Sequence, residues 1–266
     1  MRFSVLSSGS KANSTFIEVG SQRILIDCGL SAKQTSIRLL ELGIDPESIN
    51  AMIITHEHSD HVRGISVMSR KYSIPVFANE ETAQFLDNIY ALETFVTGQK
   101  FCLNEVEISP FSIVHDAVDP VGFVLEAEGL KFAQATDLGR VTPLVRESLR
   151  GAHALVLESN HDLDMLQESQ YPWELKQRIA SSHGHLSNDT AGNLLFELFH
   201  HDMFQVVLGH LSENCNTPQL AVDTVKRYVN DITHTVPNFA LYCGSVNRQT
   251  DLFTVGEEQS QQQLVG

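Results

Sequence analysis

The sequence predicts an α/β chain, α+β in the order of its elements, folded as a four-layer αββα sandwich. Three observations lead there. Residues 2–110 and 111–242 each read as strands followed by amphipathic helices, two β-then-α halves able to stack sheet on sheet. Side chains of the metal-ligating and acid–base kinds recur where predicted strands stop, at Asp27, His56, His115, Asp137, Glu158 and His210; α/β sheets gather their sites outside the carboxyl ends of strands. No Pro-, Gly- or Ser-rich linker separates the halves, so ligands from both belong to a single domain, assigned to residues 1–255. The polar run 256–266 is read as a disordered tail.

In order, residues 2–6 alternate apolar and polar side chains as a strand does, a Ser/Gly/Asn loop fills 7–14, and a second strand runs over 15–19. The loop offers backbone N–H groups and hydroxyls to an anion such as phosphate, which makes Ser8, Ser10 and Asn13 candidate substrate contacts; a plain polar hairpin loop is the alternative. Gly20-Ser21-Gln22 turns into a strand whose Ile24 and Ile26 share a face and which ends on Asp27, placed either toward the crevice or as a helix cap. Residues 32–42 form an amphipathic helix stopped by Gly43. A β-branched run, Ala51–Ile54, leads into Thr55-His56-Glu57-His58-Ser59-Asp60-His61, and a helix over 62–72 follows. Next come a strand at 74–77, a helix over 80–88, and meander strands at 94–97, 101–108 and 111–114, the last ending on His115-Asp116. Strands over 130–136 and 152–157 end on Asp137 and Glu158. Helices are predicted over 172–180, 189–199 and 218–229, with strands at 204–208, ending near His210, and at 239–242.

The 266 residues, 42% of them hydrophobic, suffice for a sizeable core. No apolar run approaches the roughly 20 residues of a bilayer span, and the first residues run into a strand pattern without a signal peptide's apolar region. Cys28, Cys102, Cys215 and Cys243 form no C-x-x-C pair and read as packed thiols. These features predict a cytoplasmic protein. The net charge of −15 excludes a broad basic nucleic-acid footprint. A nucleic-acid substrate would have to be held locally, by cations and a few basic residues.

The His56–His61 turn carries the chemistry. In an extended backbone His56 and His58 project to one side, because side chains repeat every two residues. Asp60 and His61 fall where the helix begins and reach a second point. Borderline divalent cations take His nitrogen and Asp oxygen at roughly 2.0–2.2 Å, so the spacing supplies half-shells for two ions. The positive helix end disfavours protonating His61. A surface cluster that merely caps the helix is the plain alternative, and four such residues in this order after an apolar strand weigh against it.

Asp27, His56-x-His58-x-Asp60-His61, His115, Asp137 and His210 resemble, in order, the five motifs of the metallo-β-lactamase fold. Several stretches are similar to YycJ/WalJ-type hydrolases within it: Ser8-Gly9-Ser10 with Asn13, the Thr55–His61 turn, His115-Asp116-Ala117, Glu158-Ser159-Asn160-His161-Asp162, Tyr171-Pro172-Trp173 with Leu175-Lys176-Gln177-Arg178-Ile179, and Gly184-His185-Leu186-Ser187-Asn188. The likeness spans nearly all of residues 1–250. Members of that group are regarded as metal-dependent nucleases, some as 5′-to-3′ DNA exonucleases. The resemblance therefore implies two divalent ions, Zn2+ or Mn2+ with Fe2+ as a third option, and DNA as substrate with RNA as the second choice. His56, His58 and His115 would hold one ion, Asp60, His61 and His210 the other, and Asp137 would bridge them. Asp27 would steady the turn rather than reach an ion. Lactamases put Cys or His near the fourth motif, whereas Asp137 stands there as in phosphodiesterase and nuclease members.

The implied reaction is attack on phosphorus by a hydroxide bridging the ions, with a proton delivered to the leaving oxygen. His185 is the candidate acid, by likeness to a His-bearing loop of tRNA-processing enzymes, with His183 next in line. His185, Asp60 and Asp27 then make up the catalytic set, and Asn160 and His183 join the candidate substrate contacts. Glu158 and Asn160 could also steady ligating histidines. Two other functions compete: hydrolysis of small acyl or thioester substrates, as in the glyoxalase II branch, and a non-catalytic protein with a vestigial site.

Overall fold

The computed structural model describes residues 1–233 and 239–256. The chain lays down β1 (Arg2–Ser7), β2 (Ser14–Val19), β3 (Gln22–Ile26), β4 (Ala51–Ile53), β5 (Val76–Asn79) and β6 (Leu92–Phe95). It then crosses to a second sheet of β7 (Phe101–Leu103), β8 (Val106–Ser112), β9 (Val121–Ala127), β10 (Leu130–Ala135), β11 (Ala154–Glu158), β12 (Gln205–Gly209) and β13 (Ala240–Cys243). The short β14 (Phe253–Thr254) returns to the first sheet and pairs with β1. The sheets run β14-β1-β2-β3-β4-β5-β6 and β13-β12-β11-β10-β9-β8-β7.

In each sheet an antiparallel hairpin region passes into a parallel one. β3 through β6 run parallel, as do β10 through β13. Parallel strands put their carboxyl ends on one edge, and ligand-type residues end β3, β4, β10, β11 and β12. β8 is antiparallel to β9, and β9 to β10, so β8 delivers His115 to that same edge.

The helices are α1 (Ala32–Glu41), α2 (Ser59–Val62), α3 (Ile65–Tyr72), α4 (Glu80–Ala83), α5 (Pro143–Leu149), α6 (Leu163–Glu168), α7 (Trp173–Ile179), α8 (Asn188–Leu198) and α9 (Pro218–Thr233), of which α1, α3, α5, α8 and α9 cover the outer faces of the sheets. Alternation of side chains along each strand then makes three apolar layers. Phe3, Ile17, Ile24 and Ile53 meet Val106, Phe123, Phe132 and Val156 between the sheets. Phe16, Leu25 and Met52 face Leu39 of α1 and Met68 of α3. Ala133, Leu155 and Val206 face Val145 of α5, Leu194 of α8 and Val225 of α9. This is the four-layer αββα sandwich read from the sequence. Among the described residues no helix is long and apolar enough to cross a membrane.

The structure moves several boundaries. The helix expected over 62–72 is the one-turn α2 and then α3, and that expected over 80–88 is the single turn of α4. The strand near 94 joins the first sheet through β5 rather than a meander, so the halves divide near residue 100. The run 101–108 folds back on itself at Asn104, whose φ is 51°, and β8 continues through Pro110 to Ser112. Pro110 is tolerated because β7 pairs only with Val106–Ile108, so no strand on that side calls for its missing N–H, while its carbonyl accepts the Gly98 N–H (3.0 Å). β9, β14, α5 and α6 were not expected. Of the predicted tail only Gly256 is described, and 257–266 lie outside the described residues.

Candidate metal centre

Three non-glycine residues of the site take left-handed backbone: Asp27 (φ 60°), Asp137 (φ 58°) and His210 (φ 56°). Each immediately follows, or nearly follows, a buried strand, and the positive φ turns the chain sharply so that the side chain faces across the carboxyl edge. Asp and His tolerate this region better than β-branched residues. The conformation still costs of order 1 kcal/mol each, and such strain clusters at functional sites.

Asp27 organises the His56–His61 turn from beneath. Its Oδ1 accepts the Thr55 backbone N–H (2.9 Å), and its Oδ2 accepts the Thr55 hydroxyl (2.8 Å) and lies 2.8 Å from His61 Nδ1. The carboxylate is fully buried and committed to Thr55 and His61. Thr55 passes the connection on, its Oγ1 lying 2.9 Å from His56 Nδ1. Gly29 makes the packing possible, since a Cβ there would fall 1.6 Å from the Asp60 carbonyl oxygen.

The hydrogen-bond network settles which imidazole nitrogen faces inward. Nδ1 of His61, His115 and His210 is taken by Asp27 (2.8 Å), the Gly184 carbonyl (3.2 Å) and Glu158 (2.8 Å). Their Nε2 lone pairs, with that of His56, therefore face the centre. His58 is reversed: its Nε2 meets the Asp116 carbonyl (3.2 Å) and its Nδ1 faces His56 Nε2 (3.1 Å). Fixing the outer nitrogen in this way fixes the tautomer that can hold a metal.

Two triads of donors result. One is His56, His58 and His115, the other Asp60, His61 and His210, and Asp137 groups with His56 and His61; within each group the donor atoms lie within 4.8 Å of one another. Asp137 reaches both sides, with Oδ2 3.1 Å from His61 Nε2 and Oδ1 3.7 Å from His115 Nε2 and 3.4 Å from His210 Nδ1. The donor chemistry, nitrogen and carboxylate without thiolate, suits borderline divalent cations. His210 Nε2 is buried with no hydrogen-bond partner among the described residues, as a nitrogen able to take a cation would be.

Charge balance points the same way. Burial pushes the Asp137 carboxyl up, yet His210 and His61 beside it outweigh this and hold it well below the usual carboxylate range. Burial opposes protonation of His61 and His210, but Asp137 and its neighbouring carboxylates drive His61 well up and His210 to about 10. The buried carboxylates thus demand positive charge, which bound cations supply equally well.

Glu158 joins the centre to its rim. Its Oε1 lies 2.8 Å from His210 Nδ1 and 2.9 Å from His185 Nδ1, while Oε2 accepts the backbone N–H groups of Leu138 (2.7 Å) and Leu186 (3.2 Å). The His185 ring sits over the mouth between those of His115 (centroids 5.1 Å) and His210 (4.9 Å). Gly184 lets its loop approach: a Cβ there would fall 2.2 Å from the carbonyl oxygens of both Arg178 and Ile179.

The candidate substrate contacts divide. Ser8, Asn13 and Asn160 are buried and committed to the ligand-bearing segments. The Ser8 hydroxyl accepts the His210 N–H (2.7 Å), Asn160 Nδ2 donates to the His210 carbonyl (2.7 Å), and Asn13 Nδ2 lies 3.1 Å from Asp60 Oδ2. Ser10 and His183 are exposed, and His183 Nδ1 meets only the Ser182 hydroxyl (3.2 Å) among the described contacts. Thr55, Asp116 and Arg178, which the structure ties to the candidate donors, have no role in the sequence reading; the Thr55–Asp27 and Arg178–Asp116 contacts join residues 28 and 62 apart.

His161 gives a pH test. It is 1% exposed, its Nδ1 has no partner, and burial pushes its imidazole down to about 4. The unfolded chain takes the proton first, so stability from this group holds above about 6.5 and drains away as pH falls toward 4. Urea unfolding in chelator is expected to lose midpoint more steeply over that interval for the wild type than for His161→Gln; equal losses would contradict this.

Comparison with known proteins follows the same lines. The family model described as "Beta-lactamase superfamily domain" matches residues 22–205. Exodeoxyribonuclease YycJ of Bacillus anthracis is 33% identical over 239 residues, 87% of this chain and 90% of that protein. Exodeoxyribonuclease WalJ of Streptococcus pneumoniae is 35% identical over 228 residues, 83% and 85% of the two chains. Among solved structures, the metallo-β-lactamase fold protein YhfI of Bacillus subtilis superposes with a TM-score of 0.69 at 16% identity, covering 94% of this chain and 98% of that one; at that identity the likeness speaks for the fold.

Proposed function

This chain belongs to the β-lactamase superfamily and is a metal-dependent hydrolase, and on that footing we propose a two-metal phosphodiesterase that degrades DNA from the 5′ end. The carrying observation is the meeting of two donor triads, drawn from both sheets, at Asp137. His56, His58 and His115 would hold one ion and Asp60, His61 and His210 the other, with Asp137 a ligand available to both, within residues 1–255 acting as one domain. Zn2+ and Mn2+ fit these donors, with Fe2+ next.

Bound cations supply charge neutralisation at phosphorus and an acidified water. The chain supplies the rest. Asp27 and Thr55 keep the His56–His61 turn rigid, Ser8 and Asn160 hold the His210 segment, and Asn13 steadies Asp60. The Nδ1–H of His185 donates to the Glu158 carboxylate, which aims Nε2 outward and supports the doubly protonated ring; in that form the Nε2–H would pass its proton to the leaving oxygen. The names of the near-full-length relatives support DNA as substrate, and no observation favours the thioesterase reading.

The test is hydrolysis of bis-p-nitrophenyl phosphate and of end-labelled, 5′-phosphorylated DNA across a metal series. Activity should require added Mn2+ or Zn2+, shorten DNA from the 5′ end, and vanish in His58→Ala with the circular dichroism spectrum unchanged. Full activity in that variant would remove the proposed site.

A further inference from the structure

The geometry points to α7 as the surface on which the substrate strand lands, with Arg178 taking a phosphate beside the scissile one and Trp173 stacking a neighbouring unpaired base. This rests on the phosphodiesterase reading and names how that site grips its strand.

α7 straddles the mouth of the centre. At one end the Tyr171 hydroxyl accepts from Asn214 Nδ2 (2.7 Å), four residues beyond His210 of one triad. At the other, the Arg178 guanidinium binds Asp116, with Nε 2.8 Å from Oδ2, and Asp116 Oδ1 lies 3.2 Å from His115 Nε2 of the other triad. Helix rise makes the span from Trp173 to Arg178 about 7.5 Å along the axis. Ile179 also accepts the His185 N–H (2.9 Å), so the helix is tied to the candidate acid as well.

A helix so placed, with none of its side chains buried, is doing little for the core. Arg178 is 63% exposed and stands one carboxylate away from a donor triad. A guanidinium has five N–H donors in a rigid fork matched to phosphate, more than Asp116 occupies. Lys176 adds a second cation to the last turn, its ammonium donating to the Gln167 carbonyl (2.6 Å), and Glu174 an anion to the first. In a chain whose net charge is −15, the exposed Arg178 guanidinium is the cation placed nearest the centre for a phosphate to meet. Trp173 is the chain's only tryptophan and is 66% exposed at the other end of the helix. Stacking on an exposed indole tolerates any base, which suits an enzyme that must accept each nucleotide in turn.

The single tryptophan provides the readout. A 5′-phosphorylated oligodeoxynucleotide with phosphorothioate linkages, titrated into the metal-loaded full chain, is expected to quench Trp173 fluorescence saturably. Trp173→Ala should weaken binding of the fluorescein-labelled strand about tenfold, with the kinetic loss falling in KM. Arg178→Ala should weaken binding and reduce the slope of log affinity against log salt by about 0.7. Binding without quenching, or Trp173→Ala binding as the wild type does, overturns the stacking. A fall in kcat or bound metal in Arg178→Ala with the salt slope unchanged makes that residue a bracket for Asp116 alone and overturns the phosphate contact. If the wild type hydrolyses DNA while α7 fails these tests, the landing surface falls and the phosphodiesterase stands; if it neither binds nor hydrolyses any strand, both fall.

Discussion

Asp137→Asn is expected to lower hydrolysis of bis-p-nitrophenyl phosphate by on the order of a thousandfold and to leave about one tightly held metal ion per chain. Asp137 lies within reach of both triads, with Oδ2 3.1 Å from His61 Nε2 and Oδ1 3.4 Å from His210 Nδ1 and 3.7 Å from His115 Nε2. The amide keeps one oxygen and loses the charge. A cation in such a site stabilises developing charge by several kcal/mol, and each 1.36 kcal/mol is a factor of ten in rate. Asparagine is the informative replacement because position 137 has φ 58°. Asn enters the left-handed region readily, whereas Ala there would add backbone strain of about 1 kcal/mol to the loss of the carboxylate. Metal content by mass spectrometry of the native protein, read beside activity, separates the readings. A variant with two ions and activity within tenfold of the wild type would show that Asp137 bridges nothing.

Candidate donors were legible in the sequence because Asp27, His115, Asp137 and His210 each stand where an apolar strand stops, whereas their grouping around two ions was implied only by the family resemblance. What the sequence hid was how the donors are held. Asp27 and Thr55 are 28 residues apart, Glu158 and His210 are 52, and Ser8 and His210 are 202. No local pattern encodes a hydrogen bond between such distant partners. Ser8, Asn13 and Asn160 were legible as polar residues at strand ends, but their burial, and hence their commitment to the backbone and carboxylate of ligands, depends on the two sheets closing. The strand boundaries from 92 to 127 were obscured for a different reason: Asn104 starts a hairpin within one apolar run, while Pro110, ordinarily a breaker, sits in β8 beyond the stretch that pairs with β7.

Glu158→Gln should cost more than its size suggests, because no orientation of the amide satisfies the site. Oε1 receives two imidazole N–H groups, from His185 and His210, and Oε2 receives two backbone N–H groups, from Leu138 and Leu186. Four donors converge on four lone pairs of a fully buried side chain. Burial pushes this carboxyl up, but His185 and His210 outweigh it and hold it down at about 2, so it is ionised throughout the working range. A glutamine must aim its NH2 at one donor pair or the other. Turned toward the backbone, it strands two buried N–H groups at about 1–3 kcal/mol each and lowers the unfolding midpoint. Turned toward the imidazoles, it frees His210 to rotate or change tautomer, which weakens metal binding about 10–100-fold. It also releases His185, whose proposed role as acid would be worth about 10²–10⁴-fold. The two losses separate by leaving group. With saturating metal, hydrolysis of p-nitrophenyl esters, whose leaving phenolate needs little protonation, should recover most of its rate, while cleavage of DNA, which must expel an alkoxide, should stay depressed at least about a hundredfold. Equal recovery for both substrates would take the acid role away from His185 and leave Glu158 as a support for His210 alone.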